Sequence, residues 1–204
     1  MKLKKNFYLG TDVVLLAKEL IGKYLFTNSD GIITGGIITE TEAYEGITDK
    51  ASHAYNNKHT KRTEVMFKEG GIAYVYLCYG IHSLFNVVTN KVDIPHAILI
   101  RGIIPTYGID TIKTRLNSNN IEKYKIDGPG KVTKALGIHY LNSGISLDGN
   151  QIWLENNILN ISENEIIACK RIGVDYAKED ALLPYRFIYN PSINNITNLK
   201  DFLK

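Results

Sequence analysis

Two side chains in one short stretch have the chemistry expected of a catalytic pocket. Glu42 and Tyr44 are separated by a single residue within a segment rich in β-formers, and alternate residues of a strand point to the same face. A carboxylate that is partly desolvated beside an aromatic ring can act as a general base on a water molecule. A solvated glutamate on a strand face is the alternative interpretation, and spacing alone favours this alternative.

Other polar and aromatic side chains could complete such a pocket. His53 offers a donor and an acceptor, and Tyr76 and Tyr79 could stack on planar bases. Asn86 could bond a base edge, whereas Arg101 lies in an apolar strand and needs an anionic partner, either a nearby carboxylate or a phosphate, if it is buried. Loop histidines, core tyrosines and buried amides are also common without any ligand.

Several residues could contact a polyanion. Tyr79 falls at the tip of a predicted hairpin with Gly80 and Ile81, where an aromatic ring is an exposed hydrophobe unless it wedges into a partner. Basic residues form two clusters in or beside predicted loops, where phosphate contacts are common, although solvated surface charge is the alternative. These basic residues are Lys58, Lys61, Arg62 and Lys68 in the first cluster and Lys125, Lys131 and Lys134 in the second.

Composition narrows the class of protein. The 204 residues carry a net charge of +3, with 44% hydrophobic and 22% charged residues, which is ordinary for a globular chain. Cys78 and Cys169 are too few for a disulfide framework or a metal-binding set, and no segment reads as a signal peptide or membrane span. We expect a monomer in the cytoplasm, with no metal and no membrane partner.

The elements that must position these residues are mostly short strands, which predicts an α+β fold in one domain over residues 1–204. Predicted strands cover residues 24–27, 32–41, 72–79, 84–89, 96–104, 151–155, 165–171 and 185–189. Predicted helices cover residues 13–21, with Asp12 as the N-cap, and residues 63–68 and 107–116, and a loop at residues 127–131 leads into a further helix that ends at Leu136. Residues 45–62 are predicted to form a surface loop, and residues 117–125 an insertion loop.

A series of short motifs then identifies a family. The motifs lie at residues 41–44, 51–55, 60–67, 74–80, 99–101, 128–131, 135–138 and 171–174, in order and over nearly the whole chain. Together with Asn86, this set resembles the alkyladenine (3-methyladenine) DNA glycosylases. The resemblance implies a single-domain α+β fold around a curved, mainly antiparallel sheet with flanking helices and a protruding β-hairpin.

The resemblance also implies an activity. It implies a monofunctional enzyme that flips damaged purines such as 3-methyladenine or hypoxanthine out of duplex DNA. The enzyme then hydrolyses the N-glycosidic bond without a cofactor and leaves an abasic site. A DNA substrate also implies association with the nucleoid if the source is bacterial. Two other classes stay open: a non-catalytic binder of damaged or distorted DNA, and a metal-dependent hydrolase that uses His53 and His59, which lack a third ligand at diagnostic spacing.

Roles for individual residues follow from the resemblance alone. Glu42 takes the place of the base that deprotonates the attacking water, and Arg101 and the carbonyl of Ile172 fall where that water is held. The residues matching the base-stacking positions are Tyr44 on one face of the flipped base and His53 and Tyr76 on the other.

The remaining matches concern selectivity and DNA contacts. Asn86 falls where the 2-amino group of normal guanine is screened out, and Tyr79, with Ile81 beside it, matches the side chain inserted into the gap left by the base. The expected phosphate contacts are Lys58, Lys61, Arg62 and Lys131. The chain departs from the family pattern after Arg101, because Gly102 to Pro105 lack the acidic residue expected there.

Overall fold

The structure is a computed structural model that describes residues 1–118, 125–156 and 161–191. Strands within these residues are β1 (Tyr24–Ser29), β2 (Ile32–Tyr44), β3 (Ile72–Cys78), β4 (His82–Thr89), β5 (His96–Tyr107), β6 (Ile126–Asp127), β7 (Ile152–Glu155), β8 (Ile166–Cys169) and β9 (Arg186–Tyr189). The α-helices are α1 (Lys5–Tyr8), α2 (Val13–Glu19), α3 (Ile109–Leu116) and α4 (Pro129–Leu136).

All strand pairings among the described residues are antiparallel and belong to one sheet. The main path runs β3-β4-β5-β2-β1-β7, while β6 pairs with β5, β9 pairs with β2, and β8 pairs with β9. Helices α2, α3 and α4 contact this sheet and enclose the main apolar core with it. The predicted α+β class with a mainly antiparallel sheet and a β-hairpin is confirmed.

Strand β2 is the element that positions the chemistry. Its first half pairs with β1, and its second half pairs with β9 at residues 40–42, while β5 runs along the other edge. The register to β5 shifts on both sides of Glu40, as β-bulges do where a strand bends. Glu42 therefore lies on a central strand, opposite Leu99 of β5 and Arg186 of β9.

The β3–β4 hairpin is tighter than predicted. Cys78 pairs with His82, so the turn comprises only Tyr79, Gly80 and Ile81, and the amide of Ile81 bonds back to the carbonyl of Cys78 at 3.1 Å. Tyr79 has φ of 51° and Gly80 has φ of 75°. A left-handed conformation is natural for glycine but uncommon for tyrosine, so the turn places an aromatic side chain at a position that usually carries a small residue.

The helix predictions were right in place and differed at their ends. The Asp12 carboxylate caps α2 as predicted by accepting a bond from the amide of Leu15 at 2.9 Å. Helix α3 begins only at Ile109, because β5 continues to Tyr107 through Pro105, which lies opposite Gly36 on β2. The predicted helix over residues 63–68 is a single 3₁₀ turn at Glu64–Phe67.

The predicted surface loop over residues 45–62 is exposed at residues 55–62, but its first part is more buried than predicted. Asp49, Ala51 and Ala54 are 3%, 2% and 0% exposed. Ala51 packs with Val174 and other residues of the segment after β8, whereas Ala54 joins a separate apolar cluster with Tyr74. Most of the predicted insertion loop, over residues 119–124, lies outside the described residues. No described helix is long and apolar enough to cross a bilayer.

Candidate active site

A cavity of about 430 Å³ lies where β2, β3, β4 and β5 meet the segment that follows β8. This volume is in the usual range for small-molecule sites. The lining combines aromatic rings with polar and charged groups, among them Tyr44, His53, Arg62, Tyr74, Tyr76, Tyr79, Asn86, Arg101, Ile172 and Tyr176. Eight of the sequence-predicted site residues, including Arg62, therefore contribute to the wall of this one cavity.

Glu42 lies directly behind this wall and is completely buried. Its Oε2 accepts bonds from the hydroxyl of Tyr44 at 2.9 Å and from Nη1 of Arg101 at 3.4 Å. Its Oε1 accepts a bond from the backbone amide of Ile172 at 2.8 Å. All three donors line the cavity, so the carboxylate is held at the boundary between the core and the ligand space.

Opposing influences act on the protonation of this carboxylate. Burial raises the pKa of Glu42 above its ordinary value of 4.5, because a charge is disfavoured away from water. Arg101, the Ile172 amide and the Tyr44 hydroxyl oppose the rise, since each favours the ionised form. A desolvated carboxylate with a raised pKa that still has three donors is suited to accept a proton from a bound water molecule.

Arg101 is supported by a carboxylate that sequence reasoning had not assigned to it. Its Nε donates to Oε1 of Glu40 at 2.9 Å, and Arg186 lies 3.4 Å from the same oxygen. Arg101 and Glu40 are 9% and 7% exposed. Glu40 therefore neutralises Arg101, although the residues after Arg101 include no acidic side chain. Glu40 and Glu42 are two residues apart on β2, so their carboxylates lie on the same strand face and both reach Arg101.

Tyr44 links the carboxylate to the wall of the cavity. The hydroxyl bonded to Glu42 fixes the edge of the ring, and the guanidinium of Arg171 lies 4.9 Å from the ring centroid. Burial is the main cause that raises the pKa of Tyr44, so the phenol stays protonated and acts as a donor.

His53 is held as a neutral imidazole among aromatic rings. Its Nδ1 lies 2.9 Å from the hydroxyl of Tyr74, and its Nε2 lies 3.4 Å from Nη2 of Arg62. A guanidinium can only donate, so Nε2 accepts and Nδ1 carries the proton. Burial, reinforced by Arg62 and Lys58, lowers the pKa of His53 from 6.5 to about 4. The ring meets Tyr76 edge-on, with centroids 4.7 Å apart.

Asn86 lies on β4 with only 3% of its surface exposed, and it also lines the cavity. Its Nδ2 donates to the carbonyls of Tyr74 at 3.1 Å and Leu84 at 3.4 Å. These two bonds fix the amide plane and use only the donor atom. The acceptor Oδ1 takes no part in these two bonds.

The predicted DNA-contacting residues occupy different positions relative to the cavity. Tyr79 and Ile81 at the hairpin tip are 93% and 74% exposed. The guanidinium of Arg62 lies 4.7 Å above the ring of Tyr76. The remaining three basic residues, Lys58, Lys61 and Lys131, are exposed. Lys58 is close enough to His53 to affect its pKa. Lys131 lies in the first turn of α4 next to Gly130, which approaches His82, the residue that directly follows the hairpin turn.

Sequence reasoning missed the buried ion pair between Asp49 and Arg171, whose side chains are 1% and 0% exposed. Arg171 directly precedes Ile172, which was the one available signal, whereas Asp49 is one of several polar residues in its segment. No group of three or more His, Cys, Asp or Glu side chains within the described residues could hold a metal ion. His53 bonds with Tyr74 and Arg62, while His59 packs on Phe67 with ring centroids 4.4 Å apart.

Comparison with known proteins gives one consistent result. The profile of the family described as Methylpurine-DNA glycosylase (MPG) matches residues 6–192. A protein of Chlamydia pneumoniae named "Putative 3-methyladenine DNA glycosylase" is 45% identical over 194 residues, covering 93% of this chain and 95% of the relative. Relatives with the same name in Chlamydia felis and Bacillus thuringiensis are 46% and 44% identical, covering 92% and 93% of this chain and 96% of each relative. The chain therefore belongs to the methylpurine-DNA glycosylase family, enzymes that hydrolyse N-glycosidic bonds in DNA.

Proposed function

We propose that the protein excises alkylated purines such as 3-methyladenine, and deaminated purines such as hypoxanthine, from duplex DNA and leaves abasic sites. The observation that carries this proposal is the buried carboxylate of Glu42, held by three donors at the wall of an aromatic cavity. The cavity is large enough for one base but is lined by protein on several sides, so the base must leave the duplex to enter it.

Glu42 supplies the chemistry in this proposal. Its carboxylate takes a proton from a water molecule whose oxygen bonds to C1′ of the sugar, and the C1′–N bond breaks with its electron pair going to the departing base. Positive charge develops on the sugar during this step, and the ionised Glu42 stabilises that charge as well. Arg101 and the backbone of Ile172 flank the carboxylate, and in the proposal the guanidinium and the Ile172 carbonyl hold the water.

The flipped base is held in the proposal by stacking and by one amide. Tyr44 supplies one aromatic face, and His53 and Tyr76 supply the other, since all three line the cavity. An alkylated adenine is cationic, and aromatic faces attract cations. Asn86 is fixed by two bonds to backbone carbonyls, so its rigid side chain excludes bases with an additional 2-amino group, as in guanine.

Exposed residues around the cavity act on the DNA itself. Tyr79 is 93% exposed in the three-residue turn of the hairpin, and we assign it to the gap that the extruded base leaves, with Ile81 of the same turn beside it. Unstacking costs a few kcal/mol per step, so a wedge that fills the gap stabilises the extruded state. Lys58, Lys61 and Lys131 contact phosphates in this arrangement.

The decisive experiment measures base release from duplex DNA that contains 3-methyladenine or hypoxanthine, in the presence of a metal chelator. Wild-type protein is expected to release the free base. Glu42→Gln is expected to lose about 10² to 10⁴ of the rate, the usual contribution of a general base, and to retain binding. Glu69→Gln, at an exposed surface ion pair with Lys5, is the matched control and should keep full activity.

Three outcomes contradict the proposal. Full activity of Glu42→Gln removes the carboxylate from the mechanism. Tight binding of the damaged duplex without any base release identifies a non-catalytic binder of damaged DNA instead. Activity that is lost with the chelator and also on changing His53 and His59 to alanine identifies a metal-dependent hydrolase.

A further inference from the structure

Arg171 connects three separate segments next to the cavity. Its Nη2 donates to Oδ1 of Asp49 at 2.9 Å and to the carbonyl of Asp180 at 3.0 Å. Its Nη1 donates to Oδ2 of Asp49 and, at 2.8 Å, to the carbonyl of Ala43. The two terminal nitrogens of the Arg171 guanidinium are thus bonded to the end of β2, to the segment that follows β2, and to the segment before β9.

Asp49 is fixed as firmly as its partner. Its Oδ1 accepts a further bond from the amide of Ala51 at 2.9 Å, and its Oδ2 accepts one from the amide of Glu45 at 3.3 Å. The guanidinium of Arg171 also lies over the ring of Tyr44 at 4.9 Å. A planar guanidinium that bonds a carboxylate through two nitrogens specifies orientation as well as position. This pair therefore fixes the positions of the bonded segments relative to one another.

Two of the three donors to Glu42 are neighbours of this ion pair. The amide of Ile172, which bonds Oε1 at 2.8 Å, belongs to the residue directly after Arg171. The hydroxyl of Tyr44, which bonds Oε2 at 2.9 Å, belongs to the residue directly after Ala43, whose carbonyl Arg171 binds. The third donor, Arg101, is held independently by Glu40.

We infer that Asp49 and Arg171 form a positioning pair that places the Ile172 amide and the Tyr44 hydroxyl on the catalytic carboxylate. This inference rests on the proposed role of Glu42 in base excision. Neither residue of the pair lines the cavity, so both act through the residues next to them. Together with Arg101, the pair opposes the effect of burial and of the Glu40 charge on the pKa of Glu42, because each donor that it places favours the charged carboxylate.

A purely structural pair would behave differently. Buried ion pairs contribute little to stability on balance, and their loss lowers stability because the remaining charge is left without a partner. Such a loss lowers the folded fraction at every pH and leaves the shape of the pH–rate profile unchanged. Loss of the two donors to Glu42 instead raises its pKa further, so activity disappears first on the acidic side.

The test compares pH–rate profiles of base release under single-turnover conditions, from about pH 5 to about pH 9, where a general base titrates. Asp49→Asn and Arg171→Lys remove the charge and the fork, respectively. We expect both variants to lose at least about tenfold more activity at the acidic end than at the alkaline end, since a bond to a charged group is worth about tenfold or more. Tyr44→Phe, which removes one donor directly, should shift the profile in the same direction.

Controls separate this inference from the proposed function. Leu154→Ala removes core volume at a fully buried position of β7, so it should lower Tm without shifting the profile. Wild-type protein that releases no base at any pH contradicts the proposed function. Wild-type activity together with unshifted profiles for Asp49→Asn and Arg171→Lys overturns only the positioning pair. Should Asp49→Asn fail to fold, Arg171→Lys decides the question.

Discussion

The charge cluster around Arg101 allows one prediction to be worked through in energy. Arg101 lies 2.9 Å from Glu40 and 3.4 Å from Glu42, and the side chains are 11%, 9% and 0% exposed. Arg101→Met keeps an unbranched chain and removes the charge. Removing one partner of a buried ion pair costs about 3 to 5 kcal/mol. A chain of this size loses about 2 to 4 °C of Tm per kcal/mol, so we expect a Tm lower by about 6 to 20 °C.

The loss should depend on Glu42 in particular, because Arg186 still lies 3.4 Å from Glu40. The assay is thermal unfolding of wild-type, Arg101→Met, Glu42→Gln and the double variant. The neutral amide of Glu42→Gln needs no counter-charge, so the double variant should be more stable than Arg101→Met by at least about 1 kcal/mol, a coupling typical of residues in contact.

The pH dependence of this loss has a defined sign. Burial raises the pKa of folded Glu42 above its ordinary value of 4.5, and loss of Arg101 raises it further. The folded state then binds the proton more strongly than the unfolded state, so stability increases as the pH falls from neutral towards 4.5. The Tm difference between Arg101→Met and wild type should therefore shrink on acidification.

Two results would refute this reasoning: a Tm difference that is constant with pH, or a double variant that loses the sum of the two single losses. Lys113→Met provides the matched control. Lys113 pairs with Asp110 at 3.5 Å on the surface, where the side chains are 40% and 99% exposed. Exposed pairs contribute about 0 to 1 kcal/mol, so this variant should change Tm only slightly.

The hairpin tip, the amide in the cavity and the imidazole each give a separate outcome. Tyr79→Ala should leave Tm unchanged, because the ring is 93% exposed, yet lower base release from duplex DNA by about tenfold or more; an equal loss on single-stranded DNA would argue against a wedge. Asn86→Ala should increase release of unmodified guanine from lesion-free duplex, and an unchanged release would remove Asn86 from selectivity. His53, with a pKa of about 4, should show no NMR titration near 6.5. Between pH 6.5 and about 4 the unfolded state binds a proton at His53 that the folded state does not bind, so the free energy of unfolding should fall as the pH drops through this range.

Local sequence signals were sufficient for much of the fold. Alternating β-formers and turn residues located the long strands β2, β3 and β5, and Asp12 marked the start of α2. The ends of the strands differed from the predicted ones, because they depend on pairing between strands. Cys78 pairs with His82, which shortens the hairpin turn to three residues. Pairing with β2 also carries β5 beyond Ile104, through Pro105, where the sequence predicted that the strand would end.

The sequence by itself determined that Glu42 and Tyr44 share a strand face and that a family pattern runs along the chain, because strand alternation and residue order are local properties. Only the tertiary structure decided what surrounds the carboxylate. Its donors Arg101 and Ile172 are 59 and 130 positions away, and Asp49 meets Arg171 across 122 positions. Alternation sets the face on which a side chain lies, but not which strand or loop packs against that face. The burial of Glu42 and the support of Arg101 by Glu40 therefore appear only once the chain is folded.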